Sequence, residues 1–341
     1  MEQFYERKDI NESTIEFKVK IPRDSFKETY NRLLKEKTKE TDIKGFRKGK
    51  VPKELVESEM SETIKIQSFE KLVPLFITTA LEKENLNPIA PPAYKELPDF
   101  KKNDDLEFVI DITIMPEFKL GNLKKIKIEK EDVKISSKDV TDALESIQKN
   151  SPTKAKEMND AWAKEIAKSM KIEKIEKLED LKKYVKDTLK KQKEHMMRHK
   201  LEDKAFEQAI ELSKISIPEP AVKYEAEERE RAFLHDMEHK NINADDFLKA
   251  NNITLERMRE LWLKDAKQAL ESDVFLKLYA KEKDIKISDE DLKEKIELIK
   301  KGAPKDTDPN IFENEQWIEY IKRIEEKETA FNKFVKEVLG E

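Results

Sequence analysis

Cysteine is absent from this 341-residue chain, which excludes disulfides, a thiol nucleophile and any cysteine-ligated zinc site. Glycine occurs five times, and none falls between Gly121 and Gly302. A fold that needs many tight turns therefore has no place in that stretch. Long apolar runs are missing too. The richest, Leu72 to Leu81, is interrupted by Pro74 and falls far short of the roughly 20 residues of a membrane span. The opening Met1-Glu2-Gln3-Phe4-Tyr5-Glu6 lacks the basic start and apolar core of a secretory signal. The expectation is a soluble cytoplasmic protein with no membrane contact.

What the chain has in abundance is charge. Charged residues make up 42% and hydrophobic ones 37%, with a mean hydropathy of -0.84, where compact globular proteins carry about 25% charge. The excess suits long helices exposed over most of their circumference, in an elongated molecule of two or three units. Net charge is -5, so the chain as a whole should not adhere to nucleic acid. Between Arg32 and Lys53 the balance inverts: nine basic residues against three acids give +6, a patch able to meet phosphates.

That patch contains Gly45-Phe46-Arg47-Lys48-Gly49-Lys50-Val51-Pro52. Two glycines four positions apart mark a tight loop, and Pro52 is suited to opening the helix that follows. The loop then holds Phe46, Arg47 and Lys48 at a tip, an apolar ring among cations that is costly to leave in water. It reads as a binding tip. As a phosphate loop, Gly45-x-x-x-Gly49-Lys50 is one residue short and has Val51 where Ser or Thr is required.

The eight residues Gly45 to Pro52 resemble the ribosome-docking signature of the trigger factor family, chaperones that sit at the bacterial polypeptide exit tunnel. The resemblance implies that Phe46, Arg47 and Lys48 contact a ribosomal protein and ribosomal RNA beside the tunnel. Gly45, Gly49, Lys50 and Pro52 would shape the same ribosome-binding loop. It extends through Ile217-Pro218-Glu219, Phe247 to Tyr279 and Ile287-Ser288-Asp289-Glu290, which look like the family's substrate-binding domain. The departure lies between Gln148 and Glu157, where most of the family inserts a prolyl isomerase domain. Here only Lys149-Asn150-Ser151-Pro152-Thr153-Lys154-Ala155-Lys156 stands in its place, and the lack of glycine agrees with a missing barrel.

Periodicity outlines the fold. Ser13 to Ile21 and Leu106 to Met115 alternate as half-buried strands. Helices are expected from about Asp24 to Glu40 and Pro52 to Glu84, and the proline-punctuated Leu86 to Leu97 suits an edge segment. Residues 1–118 thus form an α+β ribosome-binding domain. Residues 119–158 are a linker with a short helix, and its Leu123 to Ile135 reads as extended. Residues 159–341 form a mostly α-helical, elongated substrate-binding domain with projecting arms. Ile175 to Leu212 should be one such arm, its stripe running through Leu178, Leu181, Val185 and Leu189. Leu255 to Tyr279 should lie at the centre of the helical body. In the last helix, Trp317, Ile321, Ile324, Phe331, Val335 and Val338 share a side. Ser136 with Asp139, and Ser288 with Asp291, read as helix caps.

Four histidines form two pairs spaced i,i+4, His195 with His199 and His235 with His239. Neither pair has the glutamate of a zincin motif, so exposed polar positions explain them and no metal is expected. No nucleophile, base and orienting group can be assembled, so no catalysis and no cofactor is expected. The expected function is an ATP-independent, ribosome-associated chaperone whose partners are the ribosome and nascent or unfolded polypeptides. Met196, Met197, Met237 and Met258 are candidate substrate contacts, because thioether chains adapt to varied partners. A homodimer off the ribosome stays open. Rival readings are a peptidyl-prolyl isomerase and a helical chaperone of the SurA type that does not bind ribosomes.

Overall fold

The computed structural model describes residues 3–41, 46, 51–100, 105–129, 132–150, 157–304 and 307–340. Its contacts divide the chain into two units, one of residues 1–118 with 216–271 and one of 119–215 with 272–341.

In the first unit, β1 (Tyr5–Asn11), β2 (Thr14–Ile21), β3 (Ala93–Glu96) and β4 (Leu106–Thr113) form an antiparallel sheet of order β1-β2-β4-β3. Alternation dictates its faces. Ile15, Phe17, Val19 and Ile21 of β2 and Leu106, Phe108, Ile110 and Ile112 of β4 all point into one core. Two helices cover it, α1 (Arg23–Glu40) and the 31-residue α2 (Lys53–Lys83). Phe69, Leu72, Val73, Ile77 and Ala80 of α2 complete that core. Pro74 sits inside α2 yet is exposed.

β1 gives no alternation signal because only Tyr5 of its seven residues is buried. The Tyr5 hydroxyl donates to Glu84 Oε1 at 2.7 Å, and Arg7 Nη1 donates to Glu84 Oε2 at 2.9 Å. Those two donors hold the Glu84 carboxyl below its ordinary range. Further along the chain, α6 (Glu219–His239), α7 (Ala244–Ala250) and the start of α8 (Leu255–Glu282) pack through Val222, Ala226, Phe233, Met258, Trp262 and Ala266.

The second unit begins with a segment read from sequence as extended. Leu123–Lys125 is instead a 3-10 turn capped by Asn122, and no paired strand follows among the described residues. Its backbone is satisfied by a side chain. Lys127 N donates to Gln208 Oε1 at 2.9 Å, and Gln208 Nε2 donates back to Lys127 O at 3.0 Å. Gln208 does what a neighbouring strand would have done.

Nearby, a Cβ on Gly121 would collide with the Leu212 carbonyl group and come within 2.7 Å of Ser213 N, while Gly121 N donates to Ser213 Oγ at 2.9 Å. Gly121→Ala is therefore expected to destabilise this unit by about 1–3 kcal/mol, measured as a lowered urea midpoint at unchanged slope.

α3 (Ser137–Asn150), α4 (Asp160–Ser169) and the first half of α5 (Leu178–Leu212) enclose Leu144, Trp162, Ala163, Ile166, Leu181 and Val185. The other end of α5 is also anchored. Phe206 lies 5.5, 5.4 and 4.9 Å from the rings of Phe275, Phe331 and Phe334. The narrow stripe of α5 thus serves two cores, and only its middle, around His195 to Lys200, is largely exposed. α8 behaves similarly, giving Trp262 to one cluster and Phe275 and Tyr279 to another.

α9 (Asp289–Gly302) and α10 (Glu315–Leu339) share Leu292, Ile296 and Ile321. On α10 the buried face runs through Ile321, Ala330, Phe334, Val335 and Leu339, while Ile324 is exposed. The stripe read from sequence is rotated there because Phe334 turns into the aromatic cluster. Both serine caps form: Asp139 N donates to Ser136 Oγ and Asp291 N to Ser288 Oγ, each at 3.1 Å.

Candidate functional site

The stems of the glycine loop are fixed by packing. Leu33 and Leu34 near the end of α1 and Val51, Val56 and Ile64 at the start of α2 form a small core of their own. α1 ends at Thr41, whose N and Oγ1 both donate to Lys37 O, at 2.8 and 2.7 Å. α2 begins beyond Pro52, whose carbonyl accepts from Leu55 N and Val56 N. Val51 is 4% exposed, so one end of the loop is tied down as it enters α2.

Between these stems Phe46 lies at a bend and is 42% exposed. A phenylalanine held that far into solvent has apolar area available for a partner. Pro52 is exposed at the N-cap of α2. Gly45, Arg47, Lys48, Gly49 and Lys50 lie outside the described residues. The described cations flanking the loop, Arg32, Lys35, Lys39 and Lys53, are exposed. The positive balance seen in sequence therefore faces water on the same hairpin that carries Phe46.

The methionines do not form one surface. Met196 is 61% exposed at the middle of α5, and Met197 beside it is half-buried. Met237 is buried at 6% and Met258 packs against Trp262 and Ala266, so both serve as core in this conformation. Other apolar side chains are better placed to meet a client. Leu234, Ile242, Phe247 and Leu263 are exposed in the α6–α7–α8 region. There Phe233 stands 6.0 Å from Phe247 and 5.5 Å from Trp262. Arg259 forks onto Glu230 across α6 and α8 and keeps that carboxyl below its usual range. In the second unit Leu298, Tyr320 and Ile324 are exposed on α9 and α10. The signal that could have found them is an apolar residue lying off the core stripe of its helix.

The histidine pairs sit edge to face, with ring centroids 4.3 Å apart for His195 and His199 and 4.5 Å for His235 and His239. Glu202 Oε2 lies 2.9 Å from His199 Nδ1. Among the described residues no group of three or more His, Asp or Glu side chains is placed to hold a metal ion. No helix among them is long and apolar enough to cross a membrane.

A small sheet backed by a helical hairpin with an exposed aromatic at its turn, followed by long helices with scattered exposed apolar side chains, defines a two-part binding protein. Family models agree. The model for bacterial trigger factor protein matches residues 4–147, and that for the bacterial trigger factor C-terminus matches residues 177–336. The chain belongs to the trigger factor family.

Similar proteins include trigger factor of Halothermothrix orenii, 23% identical over 388 positions that cover 87% of this chain and 90% of the relative. Trigger factor of Finegoldia magna is 22% identical over 412 positions covering 94% and 93%. That of Idiomarina loihiensis is 32% identical over 131 residues, 38% of this chain and 30% of the relative. A solved structure described under promiscuous substrate recognition in folding and assembly activities of the trigger factor chaperone shares the fold. It has a TM-score of 0.53 at 17% identity and covers 98% of this chain and all of its own.

The longer alignments carry a further fact. At 388 and 412 positions against 341 residues, they leave at least 47 and 71 positions of those relatives without a counterpart here. The two family models leave only residues 148–176 between them, too few for a separate folded domain of the usual 50 residues or more. This is a trigger factor without the inserted isomerase domain. Residues 160–169 of that interval form α4, which places Trp162 in the core with α3 and α5.

Proposed function

We propose that this chain is an ATP-independent chaperone that docks on the ribosome and shields nascent and unfolded polypeptides in the cytoplasm. The observation that carries the reading is the pairing, in one chain, of both trigger factor halves with a loop whose Phe46 stands in solvent. Residues 1–118 are the anchor, residues 119–158 the linker and residues 159–341 the part that holds the client. In the loop, Phe46 supplies apolar area, Arg47, Lys48 and Lys50 supply charge for phosphate or carboxylate, and Gly45, Gly49 and Pro52 shape the turn. Met196 and Met197, with the exposed apolar residues of α6 to α10, are the client contacts.

The chain is not an enzyme in this reading. A chaperone that works by burying client surface needs neither nucleotide nor general base. Two assays test this. Stoichiometric protein should suppress aggregation of a chemically denatured client equally with and without ATP. A protease-coupled proline isomerisation assay on a short peptide should run at the background rate. Aggregation at the control rate, or isomerisation rising with protein concentration, would overturn the reading.

A further inference from the structure

We propose that the N-terminal domain carries a second polypeptide site, separate from the glycine loop. It would take an extended client segment that pairs with β3, lays alternate apolar side chains against α2, and ends on an acidic group. The proposal rests on the chaperone reading above and names a place and a sequence preference that reading does not contain.

Its first element is a free edge. β3 is the last strand of the sheet, pairs only with β4 among the described residues, and has all four residues exposed. An outer strand presents backbone donors and acceptors that another extended chain can take up. Tyr94 turns toward the helix-covered face, 6.4 Å from the ring of Phe69 and 6.2 Å from that of Phe108.

The second element is an apolar trough beside that edge. A cavity of about 470 Å³ runs between α2 and β3, lined by Ile66, Phe69, Val73, Pro74, Tyr94 and Leu97. Ile66 is 48% and Leu97 70% exposed. Exposed apolar side chains gathered along a groove, and not scattered singly, mark an interaction surface. Side chains of an added strand alternate, so every second one would enter this trough.

Charge complementarity fixes the occupant's far end. Phe100 closes the trough and also lines a second cavity of about 410 Å³, which holds Arg23, Lys27 and Lys65 against the single carboxylate of Glu57. The ring of Phe100 lies 5.7 Å from Phe69 on the apolar side and 6.1 Å from Phe26 on the cationic side. The hydroxyls of Tyr30 and Ser61 face the same cleft. Three cations beside one carboxylate favour an anion, and a carboxylate gains charge-assisted hydrogen bonds there. A nucleotide could use the cations and the Phe26 ring, but it has no use for the strand edge or the apolar trough. An apolar segment carrying an acidic end uses all three.

The test uses the full chain and three probes: a ten-residue peptide alternating leucine and serine with two terminal aspartates, the same peptide with two terminal lysines, and a ten-nucleotide single-stranded RNA. Hydrogen exchange at Ala93–Leu97 is followed together with fluorescence anisotropy. The aspartate peptide should slow exchange at β3 at least tenfold and bind about tenfold more tightly than the lysine peptide. Leu97→Glu should abolish the protection, and Arg23→Glu with Lys27→Glu should erase the preference. All these side chains are exposed, so the fold should survive, as checked by circular dichroism.

Peptide binding with unchanged β3 exchange would overturn the proposal. So would protection by RNA alone, or β3 protection that appears without peptide as protein concentration rises and marks a second copy on the edge. Aggregation suppression by the Leu97→Glu variant is measured in parallel. If suppression persists while β3 protection fails, the second site falls and the chaperone reading stands.

Discussion

Phe46→Ala combined with Arg47→Ala and Lys48→Ala is expected to abolish co-sedimentation with ribosomes while leaving the circular dichroism spectrum and melting temperature unchanged. Phe46 is 42% exposed, so its ring contributes little to the intramolecular core; the adjoining apolar cluster is built from Leu33, Leu34, Val51, Val56 and Ile64. Burying that ring against a partner contributes roughly 1.5–3 kcal/mol. A charge-assisted bond from Arg47 adds about 1.5–3 kcal/mol. Together they account for affinity on the order of 10²–10⁴-fold, enough for one loop to decide attachment. Binding by the unaltered chain should also weaken as salt rises, because displaced counterions accompany each phosphate contact. Pelleting of the triple variant at the wild-type level would remove the loop from the mechanism.

The second large effect concerns folding. Trp162→Ala should destabilise the unit built on α3, α4 and α5 by about 3–5 kcal/mol. Trp162 is fully buried and packs with Leu144, Ile166, Leu181 and Val185. It lies on the one helix in the interval that neither family model covers. In place of an inserted domain, this chain uses a single tryptophan-bearing helix to seal the gap between α3 and α5. Trp162→Phe keeps an aromatic ring there and should cost markedly less. Denaturant titration of both variants, with ribosome pelleting as a control, separates this from any effect on docking: the N-terminal anchor should still bind. A Trp162→Ala midpoint within error of the unaltered chain would contradict the packing role.

Much of this was legible in the sequence because local rules and tertiary structure agree. The alternation of Ile15, Phe17, Val19 and Ile21 survives as the inner face of β2. The serines at 136 and 288 cap their helices as their spacing implies. The family signature lies in a loop, where chemistry is written in a few consecutive residues. Other features depend on partners distant in sequence. β1 buries one side chain, so no periodicity betrays it. The extended look of Leu123 to Ile135 is real backbone without a strand partner, satisfied at Lys127 by Gln208, 81 residues away. The second stripe of α5, through Leu201, Ala205, Phe206 and Ala209, follows a largely polar turn and becomes visible only against Phe275 and Phe334. Met237 and Met258 are core for the same reason: composition marks a methionine as adaptable, and only packing shows whether it is free.

The most direct measurement attaches a photoreactive cross-linker at position 46 of the full chain and irradiates it with ribosomes carrying a nascent polypeptide. Docking through the loop predicts labelling of protein and RNA at the rim of the exit tunnel, with the label lost at high salt. A cross-linker at position 46 that labels only this chain's own interior, or nothing on the ribosome at any salt, would contradict it.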